Sequence, residues 1–142
     1  MDAETGEILL HKHVTVGDVG KALNPLQVEM QDEGAAIMGL GHTLMEHIII
    51  DDGGRIQNLG ALDYRIPTIK DVPLELRALM VENEDGPGPY GAKGVSEGAL
   101  LCTAPALAAA VTDATGVLTQ TFSRGIPSPK VHCAVQNGLF RS

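Results

Sequence analysis

From Asn24-Pro25 onward, apolar or small residues return at Met30, Gly34, Ile37, Met38, Gly41, Leu44, Met45 and Ile48. Steps of three and four put them on one face of a helix, and such a face has to be buried against a second layer. The start of the helix is equally legible. Asn can cap it, Pro suits the first helical position, and Gln27 stands where a capping-box partner reaches back. Gly34 and Gly41 interrupt the stripe, each at about 1 kcal/mol relative to Ala. Glycines are tolerated there when another element or a ligand comes close to the backbone.

Strand patterns flank this helix. Residues 7–16, rich in β-branched side chains, follow an Asp2–Gly6 turn and predict a strand. The break in alternation at Leu9-Leu10 predicts that part of it is covered on both faces. Leu74–Glu82 alternates and predicts another strand, and Ile48–Gln57 around Asp52-Gly53 predicts a hairpin. A second helix is expected over Ala104–Thr115, with Thr103 as cap, Pro105 in the first turn and Gly116 at the stop. Ile126-Pro-Ser-Pro129 predicts an extended segment. No internal repeat or linker divides the chain, so a single domain over residues 1–142 is expected. The expected class is α+β, a mixed sheet of about four to six strands with two principal helices.

Charge and composition narrow the function classes. Ten Lys+Arg against 18 Asp+Glu leave a net charge of −8 and a pI of about 4.9. A chain so acidic offers no footprint for a phosphate backbone, which argues against nucleic acid. A membrane span needs about 20 unbroken apolar residues, and the runs Ile48–Ile50 and Ala104–Val111 fall short. The acidic N-terminus lacks the basic and then apolar pattern of an export signal. A soluble, cytoplasmic protein is expected. Cys102 and Cys133 form neither a disulfide framework nor a zinc or iron–sulfur set, and are expected as buried thiols.

Most isolated motifs are bland. His11-Lys-His13 could present two imidazoles on one strand face, but no third ligand is identifiable. His42 and Glu46 read as an i,i+4 surface pair, and Asp51-Asp-Gly-Gly54 reads as a turn. Gly39-Leu-Gly41 is a fragment of a dinucleotide fingerprint lying inside a helix, and no phosphate loop is present. The stretch Gly86-Pro-Gly-Pro-Tyr-Gly-Ala-Lys-Gly-Val-Ser-Glu97-Gly98 differs in kind. Glycine-rich backbone can approach a bulky ligand and point N–H groups at anionic oxygens. Glu97 follows directly, with Lys93 shortly before it. From chemistry alone, Glu97 is either a general-base candidate or a loop residue capping the next helix.

An ordered set of motifs accompanies that loop. It comprises Thr5-Gly-Glu7, Asp18-Val-Gly20, Asn24-Pro25, Gln31 through Glu33-Gly34, Gly39-Leu-Gly41, Asp63-Tyr64 with Pro67-Thr68, Asp71-Val-Pro73, Gly91-Ala-Lys-Gly-Val-Ser-Glu97, and Ala109 through Gly116. In order and spacing, from about Asp2 to Gly116, the set resembles the C-terminal part of the large, molybdopterin-binding subunit of the xanthine dehydrogenase/aldehyde oxidase family of molybdenum hydroxylases. The resemblance implies that Glu97 is the base beside the molybdenum cofactor. It also implies that Gln31 hydrogen-bonds the pterin and that Gly94, Val95 and Ser96 lie against the cofactor. No side chain of this chain is expected to ligate the metal. The implied reaction hydroxylates an electron-poor heteroaromatic or aldehyde carbon with oxygen from water. Electrons would leave through iron–sulfur clusters and FAD on other subunits.

The match has departures. Ser96 stands where the family has glycine, Gly98-Ala99 replace Pro-Pro, Met30 replaces the glycine before Gln31, and Met38 replaces a frequent glutamine before Gly39. The family's subunit is also several times longer, so this chain is expected to share its molybdopterin with a partner that supplies the remainder of the molybdenum subunit. The starting Met and acidic N-terminus fit a separately encoded chain with an exposed apolar mating surface. Two other readings stay open: a non-catalytic structural or assembly subunit, or truncated relic, of that family, and an independent small-molecule binder built on the Gly-rich loop.

Overall fold

A computed structural model describes residues 5–118 of the chain. The expected extended segment at Ile126–Pro129, Cys133, and the first residues of the Asp2–Gly6 turn lie outside them. The order is strand β1 (Lys12–Asp18), helix α1 (Pro25–Leu44), strand β2 (Glu75–Val81) and helix α2 (Gly98–Thr115). The class is α+β with two principal helices, as expected. Among the described residues the sheet holds two strands rather than four to six, and they run parallel. Parallel neighbours need a long crossover, which here carries α1.

The register pairs Lys12 with Glu75 and Asp18 with Val81, and its one fully buried rung is Thr15 opposite Ala78. β1 starts later than the sequence suggests and takes in Gly17-Asp18, although backbone bonds to Leu10 and His11 carry the pairing back beyond it. The expectation of cover on both faces fails: Leu9, Val14 and Val16 are exposed.

By its contacts the chain forms two compact units. One comprises Leu10–Leu40 and Pro67–Thr103, with both strands, and its core is Ala35, Ala36 and Ala99, with Leu76 and Leu100 packed against them. The described part of the other comprises residues 5–9, 41–66 and 104–118, with Leu107 and Val111 buried on α2.

Asn24 caps α1 as expected, its Oδ1 accepting the Gln27 N–H at 3.3 Å. The buried face differs in phase from the expected stripe. It runs through Asp32, Ala35, Ala36, Gly39, Leu40, Gly41 and Thr43; of the expected stripe only Gly41 is buried, whereas Met30 is 59% and Met38 48% exposed. Gly34 meets nothing within 4 Å; the close approach falls at Gly39, where a β-carbon would lie 2.6 Å from Thr103 Oγ1. Helices that pack backbone to backbone select small residues at the seam, so the largest apolar side chains point elsewhere.

α2 starts six residues before its expected start, which leaves Pro105 inside it and Thr103 mid-helix, donating its hydroxyl to the Ala99 carbonyl at 2.9 Å. The missing Pro105 N–H leaves one helical bond unmade, and burial at Ala99 and Thr103 compensates. Cys102 is exposed on this helix, contrary to expectation.

The expected hairpin reduces to one antiparallel bridge, Ile50 to Ile56. Asp51 organises its turn, accepting from the backbone of Gly53 and Arg55 at 2.9 Å and from Gln57 Nε2 at 2.6 Å. Asn58, buried behind it, accepts from Ile49 N–H at 2.8 Å and donates to the His47 carbonyl.

Candidate functional site

The Gly-rich loop leaves β2 at Val81 and folds back on the chain that leaves β1. Glu84 N–H donates to the Gly20 carbonyl and Lys93 N–H to the Val19 carbonyl, both at 2.9 Å. Within the loop, Gly86 N–H donates to Gly91 O at 2.8 Å and Gly88 N–H to Ala92 O at 2.9 Å. The first glycines serve this self-packing rather than a ligand. A β-carbon at Gly91, whose φ is +78°, would fall 2.1 Å from the Glu84 carbonyl. One at Gly20, φ +64°, would fall 2.1 Å from the Gly91 carbonyl. Left-handed backbone and carbonyl contact together exclude any side chain at either position.

Charge completes the knot. Lys93 Nζ lies 2.7 Å from Asp18 Oδ2, at the end of β1, and 2.6 Å from Asp85 Oδ1. Asp18 also accepts from Gly20 N–H at 3.1 Å and from Asn83 Nδ2 at 2.9 Å. The Lys93 ammonium, helped by the Gly20 N–H, holds the Asp18 carboxyl below its ordinary value, and the two carboxylates hold Lys93 above its own. Beside them Lys21 pairs with Glu84 at 2.9 Å, and Glu82 accepts the Ala22 N–H at 2.8 Å.

Beyond Lys93 the character changes. A β-carbon at Gly94 would meet nothing within 4 Å, Val95 is half-buried, and Ser96 and Glu97 are exposed. Glu97 directly precedes α2, and its backbone carbonyl accepts the Leu100 N–H at 3.2 Å. Its carboxylate has no hydrogen-bond or ion-pair partner among the described residues, so it does not serve as a side-chain cap. Gln31 is exposed in the second turn of α1. It lies one turn before Ala35, on the side that packs with Ala99, and Glu97 lies two residues before Ala99. No hydrogen bond joins Gln31 to residues 94–97.

The remaining motifs do not converge on this loop. His11 is exposed and His13 half-buried, its pKa lowered by burial. Among the described residues, no group of three or more His, Cys, Asp or Glu side chains is placed to hold a metal ion. Glu46 accepts the Tyr64 hydroxyl at 2.8 Å instead of pairing with His42. Three features had no clear signal in the sequence. Asp18 and Asp85 hold Lys93, and Asp32 is 4% exposed with Oδ2 unpaired. A cavity of about 360 Å³ lies among Ile48, Ile56, Leu59, Ala61, Tyr64 and Ile66.

Comparison with known proteins gives a consistent answer. Residues 1–73 match the molybdopterin cofactor-binding domain family. "Probable hypoxanthine oxidase XdhD" of Escherichia coli K12 is 38% identical over 117 residues, covering 82% of this chain and 12% of that protein. The xanthine dehydrogenase molybdenum-binding subunit of Escherichia coli O157:H7 is 36% identical over 122 residues, 85% of this chain and 16% of that one. The crystal structure of quinoline 2-oxidoreductase from Pseudomonas putida 86 superposes with a TM-score of 0.71 at 36% identity, over 82% of this chain and 15% of that one. This chain therefore spans a small fraction of the length of its relatives. It belongs to the molybdopterin cofactor-binding family, the family of the xanthine dehydrogenase and aldehyde oxidoreductase molybdenum-binding subunits.

Proposed function

We propose that this chain is the C-terminal, glutamate-bearing part of a molybdenum hydroxylase, acting on an electron-poor heteroaromatic or aldehyde carbon with water as the oxygen source. The observation that carries this reading is the uncovered, unpartnered carboxylate of Glu97 at the end of an open glycine loop, in a chain of this family. The residues fit a bulky group lying over them. Gly94 leaves its β-carbon space empty, Ser96 and Glu97 are exposed, and Gln31 offers an exposed amide on α1.

When bound, the molybdopterin cofactor supplies the redox centre that takes two electrons from the substrate. This chain's own part is narrower. Gly94, Val95 and Ser96 bring backbone against the cofactor, and Gln31 donates an amide hydrogen bond to it. Glu97 accepts at a carboxylate oxygen a proton from the water that becomes the product hydroxyl, and closure by a partner chain dries the site.

The apolar surface supports an assembled state. α2 is long and apolar enough to cross a membrane by length and composition, yet only 22% of it is buried. Leu101 is exposed on it, and Leu59, Leu62 and Ile69 are exposed elsewhere. We assign this cover to the remainder of the molybdenum subunit, with iron–sulfur and flavin subunits carrying electrons onward in a cytoplasmic complex. The test is Glu97→Gln in the complex purified from its host. Molybdenum content should stay at the wild-type level while turnover falls at least about 100-fold. Turnover near wild type would remove Glu97 from the chemistry, and a metal-free wild-type complex would leave a structural subunit.

A further inference from the structure

Residues 94–96 donate and accept no hydrogen bond among the described residues, so the segment ending at Glu97 is positioned from its two ends. The far end is α2, fixed where Leu100 N–H meets the Glu97 carbonyl and where Ala99 is buried. The near end is Lys93, the last residue before the gap with a backbone bond, to Val19 O at 2.9 Å. Lys93 is also the only cation among the described residues that pairs with both Asp18 and Asp85. Asp18 ends β1, whereas Asn83 and Asp85 belong to the chain leaving β2, so one ammonium ties both strand exits to the start of the segment.

We propose that Lys93 is a positioning residue for Glu97, its ammonium clamped between Asp18 and Asp85 so that the short span 94–97 delivers the carboxylate to one place. The proposal rests on the reading of Glu97 as base. Without the ammonium, two carboxylates would face each other unneutralised and only backbone bonds, Lys93 N–H to Val19 O and those within the loop, would hold the near end. Arginine keeps the charge, but its planar fork does not match a compact cation shared by two carboxylates. A span this short transmits a small shift of its anchor directly to Glu97, and a displacement of about 1 Å in a catalytic group can lower the rate about 100-fold.

The test uses the assembled complex carrying Lys93→Met, Lys93→Arg, Glu97→Gln, or Lys93→Met with Glu97→Gln. Molybdenum content, kcat, KM and hydrogen exchange of the amides of residues 84 and 93, which bond to Gly20 and Val19, are measured. For Lys93→Met, exchange of the hydrogen-bonded amides of residues 84 and 93 should rise about tenfold and kcat fall about tenfold or more, with KM changing less than about threefold. Lys93→Arg should recover part of both. On the Glu97→Gln background, Lys93→Met should raise exchange equally but lower the residual rate no further, because its effect passes through Glu97.

Unchanged exchange at the amides of residues 84 and 93 in Lys93→Met would overturn the proposal, as would the same rate loss with and without Glu97. Should Lys93→Met fail to assemble, Asp85→Asn removes one of the two pairs. A rise in exchange of about threefold then supports the clamp, and none overturns it. If Glu97→Gln alone leaves turnover intact, the reading of Glu97 fails, while the exchange data still decide whether Lys93 anchors the segment.

Discussion

Gly39 of α1 faces Thr103 of α2 so closely that a β-carbon on residue 39 would sit 2.6 Å from the threonine Oγ1 and 2.7 Å from its Cβ. Thr103 is fully buried and its hydroxyl is engaged with Ala99, so it has nowhere to move. Gly39→Ala gains about 1 kcal/mol of helix propensity but meets an overpacking penalty of about 1–3 kcal/mol, and the contact distances favour the penalty. Thermal unfolding should show net destabilisation, partly recovered when Thr103→Ala is added. A variant as stable as wild type would mean that the helices can separate without cost.

Asp32 presses Oδ2 toward Gly17, where a β-carbon would lie 2.9 Å away, and that oxygen has no partner. Burial raises its pKa, because folding disfavours the carboxylate more than the neutral acid. The sign follows by linkage: this group's contribution is fully present below the unfolded pKa of about 3.9 and is lost as pH rises through the folded value. Asp32→Asn should raise stability by about 1 kcal/mol at pH 8 and much less at pH 4. Denaturant titrations at the two pH values measure the difference, and an equal effect at both would show that Asp32 is not the titrating group.

Asn58 makes two hydrogen bonds to the backbone of the segment before the Asp51 turn while 5% exposed. Asn58→Ala strands the Ile49 N–H and the His47 carbonyl. A loss of about 1–3 kcal/mol is expected, with faster hydrogen exchange at Ile49. Asp51→Ala, in a more exposed turn, should cost less.

Asp18 titrates below its ordinary range because of Lys93, so its contribution to the loop anchor is present above the unfolded carboxylate pKa and lost as pH falls through the lowered value. Exchange at the Lys93 and Glu84 amides should therefore rise below about pH 4 and rise further with salt, since the pairs are partly exposed. Asp18→Asn should abolish the acid dependence without removing the Gly20 hydrogen bond. A dependence that survives in Asp18→Asn would assign the titration to another carboxylate.

Local chemistry made several elements legible in the residues themselves. Asn24-Pro25 writes a helix start because capping depends on two adjacent side chains, and β2 alternates because a strand has a period of two. The Gly86–Gly98 loop declares itself irregular, and its place in an ordered motif set identifies the family without any coordinates. What depends on distance was not legible. The buried face of α1 follows Ala35, Ala36 and Gly39 because α2 comes too close for Met30 or Met38, and hydrophobicity alone favours the larger side chains. The start of α2 at Gly98, with Pro105 tolerated inside it, follows from burial at Ala99 and Thr103 rather than from propensity. The same glycine signal proved to hold two roles. Gly86, Gly88 and Gly91 close the loop on itself, whereas Gly94 opens onto empty space, and only the folded path of the loop distinguishes them. The residue types at the loop, and the family they belong to, can be read from the order of amino acids alone. That Lys93 is clamped by Asp18 and Asp85, and that the Glu97 carboxylate has no partner among the described residues, follows only from the folded chain, because pairing between residues distant in sequence is settled when the backbone brings them together.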